Sequence, residues 1–286
     1  MTQNVLDQRL NAFRDDLADA RLADMVVAQR YAEGELAVVT ASHADVFARP
    51  QIASGLQTQL LFGHAVRIFE DRSGWSWVQD ETDSYVGYVQ SDHLKRGTNT
   101  PTHVVRAPRT FTYPSPDLKL PRTGQLSIGS KLTIVDQVED RGTHYAVLAD
   151  GRHVIDKHLM GIGDWQSDPI EVADTLMHAP YLWGGKTGFG LDCSGLVQLS
   201  HMLCGNTVLR DSDMQARSIG GEIEPDWSAL QRGDLVFWKG HVGMMRDAET
   251  LIHANAHTMN VALEPLAAAI ERIGYLYGDP VGIRRP

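Results

Sequence analysis

Cys193 has the setting of a nucleophile. It opens the stretch CSGLVQLSHMLCG, in which Leu196, Val197, Ser200 and Leu203 fall on one helical face and Gly205 is a natural stop. A thiol in the first turn of a helix faces unpaired backbone N–H groups and the positive end of the helix dipole. Its pKa is therefore expected to fall and its thiolate to be populated. The preceding loop, YLWGGKTGFGLD, holds Gly184, Gly185, Gly188 and Gly190, which let the chain turn tightly and bring backbone close to a substrate. The alternative for Cys193 is a buried structural thiol. The second cysteine, Cys204, lies near the end of the same helix.

A thiolate nucleophile needs a base. Of the twelve histidines, His241 opens the strand-like run HVGMMR beside the apolar GDLVFW, and His253 lies in the next run, LIHANA. A hairpin centred on Asp247 sets the two directly opposite, with Cβ atoms roughly 5 Å apart. One imidazole then holds the other in a fixed tautomer, as the third member of a catalytic triad does. A register slip of one residue separates them. His253 and His257 stand four apart, but in a strand pattern rather than on a helix, so no metal site is expected. GGKT lacks the earlier glycine of a phosphate-binding loop, because position 180 is Pro180.

The elements that must position these groups are readable around them. SDPIEVADTLMHAP reads as a helix capped by Asp168, opened by Pro169, supported by Glu171 and ended by Pro180. A helical part followed by antiparallel strands is an α+β layout for residues 165–286. Upstream, residues 36–97 (LAVVT, QLLFGHAVRIFE, GWSWVQ, SYVGYVQ) and 102–163 (THVVRA, KLTIVDQV, THYAVLA, RHVIDKHLM) alternate β-rich runs with turns. They read as two tandem small barrels joined by KRGTNTP, with one larger barrel as the alternative. In residues 1–35, Leu6, Leu10, Phe13 and Leu17 fall at helical spacing, yet the surrounding charges equally suit a segment draped over other domains.

The composition, 43% hydrophobic and 22% charged, is that of a soluble globular protein. A net charge of -10 with no basic cluster argues against nucleic acid or an anionic membrane as partner. The first thirty residues contain no apolar signal-like core, and no run of some 18 apolar residues follows. A cytoplasmic protein without disulfides is expected.

YLWGGKTGFG, DCSGLVQ, GDLVFW, HVGMM and LIHANA, in this order over residues 165–286, resemble the NlpC/p60 cysteine peptidases of bacteria. The resemblance implies a papain-like fold in which Cys193 is the nucleophile, His241 the base and His253 the third polar residue, with no cofactor. RDSDMQA at 210–216, the opening DQRLNAFRDDLADARL and two SH3-like barrels are similar to one subgroup of that family. Its enzymes cleave the bond between γ-D-glutamate and an L-diamino acid in murein peptides that carry a free N-terminal L-alanine. By the same resemblance Asp192, Ser194, Ser212 and Tyr85 hold the alanine amine, and the Tyr181 hydroxyl joins the oxyanion site. A carboxylate and hydroxyls satisfy the three donors of an ammonium. His64, in LLFGHAV, departs from the pattern, standing where a glutamate is expected. The implied partner is a murein-derived peptide, and the implied setting is its recycling. Two rivals stay open: an amidase or acyltransferase on another γ-glutamyl substrate, and a wall-peptide binding protein with an inactive catalytic domain.

Overall fold

Turn residues cut the upstream sequence more finely than its apolar runs suggest. QLLFGHAVRIFE becomes parts of two strands, Leu56–Leu61 and Ala65–Arg72, because Gly63 takes a φ of 77° and reverses the chain. The computed structural model describes residues 6–224, 226–227 and 229–286. Between Glu35 and Arg96, seven antiparallel strands form one sheet whose inward residues, among them Val39, Val46, Leu60, Val66, Val78 and Val89, make a core of their own. Between His103 and Gly161, a five-stranded and a three-stranded sheet enclose a separate core of Val105, Leu126, Leu132, Ala146, Leu148 and Val154.

Ahead of both lies a strap. Residues 6–32 form no α-helix despite their helical spacing. Ala12 and Leu17 are buried instead against Phe69 and Trp77 on the first sheet. The Arg14 guanidinium lies 4.3 Å from the Trp77 ring centre and donates to Glu70 at 2.8 Å. Two apolar anchors and paired charges hold this segment, so its local spacing is overridden by tertiary contacts.

Residues from Pro169 onward form an α+β unit. Helix α1 (Pro169–Thr175) is capped by Asp168, whose carboxylate accepts from the Ile170 N–H. It ends well before Pro180, which instead bridges to Asn260. Helix α2 (Cys193–Met202) packs on α1 and on one face of a six-stranded sheet, burying Leu196, Leu199, Phe237, Val242, Met244 and Ile252. Helix α3 (Ser212–Ser218) follows α2, and α4 (Leu266–Tyr277) covers the opposite face of the sheet over Val236, Trp238, Leu251 and Ile283. Along the strand His241–Met245 the residues alternate between these two faces, as the strand period requires. Among the described residues no helix is long and apolar enough to cross a membrane.

The lysine of GGKT joins the α+β unit to the first sheet. Lys186 is fully buried, with its ammonium 3.4 Å from Asp83 and 4.0 Å from Asp80. Its backbone N–H donates to Gln59 at 2.9 Å, and Gln198 of α2 donates to Asp83 at 2.7 Å. Burial and the neighbouring Asp83 push Asp80 up to about 7. These contacts bring the edge of the first sheet to the start of α2.

Candidate active site

Asp192 caps α2, its carboxylate accepting from the Gly195 N–H at 2.8 Å. Gly195 has a steric reason to be glycine: a Cβ there would sit 2.3 Å from the Gly185 carbonyl oxygen. The glycine loop can therefore lie directly against the first turn of α2. Cys193 is buried, and the backbone N–H groups of Ser194 and Val242 reach its sulfur. Val242 directly follows His241, so the strand that carries the histidine touches the thiol. The expected fall in the thiol pKa does not occur. Burial and the Asp192 carboxylate push Cys193 up to about 12, outweighing the two amides and the Arg210 cation. The sequence reading counted the helix dipole but not the anionic cap beside the sulfur.

His241 Nε2 lies 2.9 Å from His253 Nδ1, with ring centres 5.1 Å apart. The hairpin that brings them together has another centre than Asp247. Met244 pairs with Ile252 and Met245 with Leu251. The turn closes where the Arg246 N–H meets the Thr250 carbonyl at 2.7 Å, with Asp247 accepting from the Glu249 and Thr250 N–H groups. The histidines are thus diagonal rather than opposite, but they stay on one face, and diagonal aromatic side chains reach each other. Burial, followed by His253 and Arg272, holds His241 down to about 3. Both shifts favour the neutral forms, a thiol at Cys193 and an imidazole at His241.

Two partners of this pair escaped the sequence reading. Glu264, on the strand Asn260–Pro265, places Oε2 3.1 Å from His253 Nε2. Arg272 of α4 clamps the same carboxylate through Nε at 2.9 Å and Nη2 at 2.6 Å. The available signal was slight: a lone glutamate in a short strand-like run, NVALEP.

Cys193 opens into a cavity of about 240 Å³. Tyr85, Tyr181, Asp192, Ser194 and Ser212 all line it, so residues from the first sheet, the glycine loop, α2 and α3 converge there. His64 does not. Its ring is buried elsewhere, 3.0 Å from the Gly129 carbonyl, where it ties the two β-units together. Arg9 of the strap, Trp183, Asp211 and Asp213 also line the cavity, and only the RDS string hinted at any of them.

The charges in this cavity are distributed differently from the expected set. Asp192 accepts from the Gly184 and Gly195 N–H groups, from the Ser194 hydroxyl at 3.3 Å and from Arg210 at 2.8 Å. Ser194 in turn accepts from Arg210 at 2.7 Å. Both groups therefore line the cavity while also serving as cap and counter-ion. Asp211 accepts from the Tyr85 hydroxyl at 3.2 Å and from Arg9 at 2.8 Å, and burial raises its pKa. One arginine, Arg9, and three carboxylates, Asp192, Asp211 and Asp213, line the cavity, with Arg210 behind them paired to Asp192, so the lining is acidic. Burial and the nearby Cys193 and Asp192 raise the Tyr181 pKa, so its phenol stays protonated and able to donate.

Arg210 is almost fully buried, and its removal strands the Asp192 carboxylate. Arg210→Met should lower unfolding free energy by about 3–5 kcal/mol, the range for breaking a buried ion pair. Denaturant unfolding measures this, and a loss under about 1 kcal/mol would mean that Asp192 is held by its N–H donors alone.

Residues 178–271 match the NlpC/P60 family, and residues 46–94 match the bacterial dipeptidyl-peptidase Sh3 domain. Dipeptidyl-peptidase 6 of Lysinibacillus sphaericus is 28% identical over 248 residues, spanning 77% of this chain and 87% of that protein. A gamma-D-glutamyl-L-lysine dipeptidyl-peptidase of Bacillus cereus is 28% identical over 244 residues, spanning 75% and 72%. The crystal structure of an NlpC/P60 family protein from Bacillus cereus superposes with a TM-score of 0.74 over 87% of this chain and 99% of that one. Its 23% identity supports a shared fold.

Proposed function

Because this chain is an NlpC/P60 cysteine peptidase carrying a bacterial dipeptidyl-peptidase SH3 domain, we propose that it hydrolyses the γ-D-glutamyl–L-diamino acid bond of murein peptides with a free N-terminal L-alanine. The names of its relatives support the bond class. The observation that carries the reading is the cavity in which the Cys193 thiol and the Asp211 carboxylate share one wall-to-wall space of about 240 Å³. A thiol together with carboxylates and hydroxyls in one small cavity suits an acyl group with an ammonium one short residue upstream.

In this reading Cys193 attacks the γ-glutamyl carbonyl while its proton passes to His241. The Cys193 N–H and the Tyr181 phenol hold the oxyanion. His241 then protonates the leaving amine and activates water for thioester hydrolysis. Asp211, Tyr85 and Ser212 receive the alanine ammonium, and Asp192 with Ser194 lends charge from behind as part of the Arg210 network. The peptides are ones already released from the wall and recycled in the cytoplasm. We read the chain as an N-terminal segment at 1–35, tandem SH3-like barrels at 36–97 and 102–163, and the peptidase domain at 165–286. The first barrel supplies Tyr85, and the second supports the glycine loop, as the Gly188 N–H donating to Ser127 at 2.8 Å suggests.

Incubation with L-Ala-γ-D-Glu-diaminopimelate should release L-Ala-D-Glu and free diaminopimelate, read by mass spectrometry. Cleavage between alanine and glutamate, or turnover only of intact wall, would overturn this assignment.

A further inference from the structure

We infer that Glu264, clamped by Arg272, is a positioning residue that decides which nitrogen of His241 serves as the base. The inference rests on Cys193 and His241 acting as nucleophile and base. His253 is enclosed on all sides and has a neighbour on each ring nitrogen. On one side Nε2 lies 3.1 Å from the Glu264 carboxylate, too far off line for a good hydrogen bond but close enough that the negative charge, an acceptor only, draws the His253 proton to Nε2. His253 Nδ1 is then a bare lone pair, and at 2.9 Å it must accept a proton from His241 Nε2. His241 Nδ1 is consequently left unprotonated. One carboxylate at the end of the chain thus fixes two tautomers in sequence and leaves His241 Nδ1 to take the proton of Cys193.

The elements hold Glu264 there for identifiable reasons. His253 pairs with Ala262 across two antiparallel strands, so Glu264, two residues further on, projects from the same face and reaches His253 diagonally. Arg272, in the helix that follows the strand, grips both carboxylate oxygens. These bonds hold Glu264 ionised, at about 2. When the Cys193 proton moves to His241 Nδ1, both nitrogens of that ring carry protons and the ring becomes positive. His253 stays neutral, Glu264 stays anionic, and no further proton moves. Among the groups acting on His241, the Glu264 charge favours the imidazolium, against burial, His253 and Arg272. An amide at position 264 can instead turn its NH2 toward His253 Nε2, which reverses both tautomers and blocks Nδ1.

The test compares wild type with Glu264→Gln and Arg272→Gln in the full chain. It reads kcat, KM, the pH 7 alkylation rate of Cys193 by iodoacetamide, and Tm. In Glu264→Gln, kcat should fall at least about tenfold with KM within about twofold, the split for an interaction made in the transition state. Alkylation should slow about fivefold or more, since thiolate forms only against an imidazolium. Arg272→Gln should move both rates the same way by less. Folded Glu264→Gln with kcat and alkylation at wild-type rates would overturn the assignment. If that variant does not fold, unchanged rates in Arg272→Gln overturn it and slowed rates support it. Alkylation needs no substrate, so slowed alkylation in an enzyme inert toward murein peptides would sustain this role of Glu264 and refute only the substrate reading.

Discussion

Cys193→Ala should abolish peptide hydrolysis, with kcat lower by as much as about 10⁶-fold, the scale on which removing a protease nucleophile acts. Cys204→Ala should keep activity within about twofold. Both thiols are pushed up by burial, Cys204 to about 11 and Cys193 to about 12. Acidity therefore does not distinguish them. Position does. Cys193 lines the cavity and meets the amide that follows His241, whereas Cys204 lies beyond the other end of α2, near Asp168 and Glu171. A thiol with a high pKa becomes a nucleophile only if an adjacent base takes its proton as it attacks. The same comparison can be made on the thiols themselves. Iodoacetamide at neutral pH should modify Cys193 ahead of Cys204, and substrate should protect Cys193. Residual hydrolysis in Cys193→Ala, or faster labelling of Cys204 in the folded protein, would remove Cys193 from the nucleophile's place.

Acetylation of the N-terminal alanine should lower kcat/KM by about a hundredfold or more. Three carboxylates and one arginine line the cavity around Cys193, and Asp211 reaches it with a carboxylate that already accepts from Tyr85 and Arg9. An ammonium adds the missing positive charge and donates to Asp211 and to nearby hydroxyls. An acetyl group removes that charge, adds bulk and leaves the half-buried carboxylate short of a partner. A hydrogen bond to a charged group contributes about 1.5–3 kcal/mol, and each 1.4 kcal/mol is about tenfold in rate. Asp211→Asn should erase most of the discrimination, and Tyr85→Phe should narrow it, both with Cys193 alkylation unchanged. Asp192→Asn is the wrong probe, because it also breaks the α2 cap and frees Arg210. Equal rates on free and acetylated L-Ala-γ-D-Glu-diaminopimelate would show that the amine is not recognised.

Much of this protein was written locally. A glycine loop, a cysteine and a 3.6-residue apolar period placed α2 and its nucleophile, because helix starts and stops are set by residues within a turn of each other. Alternating apolar residues and the turn between them put His241 and His253 on neighbouring strands of one sheet, and the period of two kept them on one face even though the register differed. What lay beyond local reach is of another kind. Asp192 sits beside Cys193 in sequence, yet its partner Arg210 is 18 residues away, and that pairing gives Asp192 a counter-ion that no local window displays. Lys186, in a string that resembles a phosphate loop, is instead the buried anchor to Asp83, 103 residues upstream. Arg9 reaches Asp211 across 202 residues, so a strap with misleading helical spacing ends as part of the cavity wall. Glu264 acquires its place from a strand pairing and from Arg272 on the next helix. In each case a side chain's charge was visible in the sequence, but its partner was not. Burial makes the choice of partner decisive, and burial is a property of the assembled layers rather than of any window of residues.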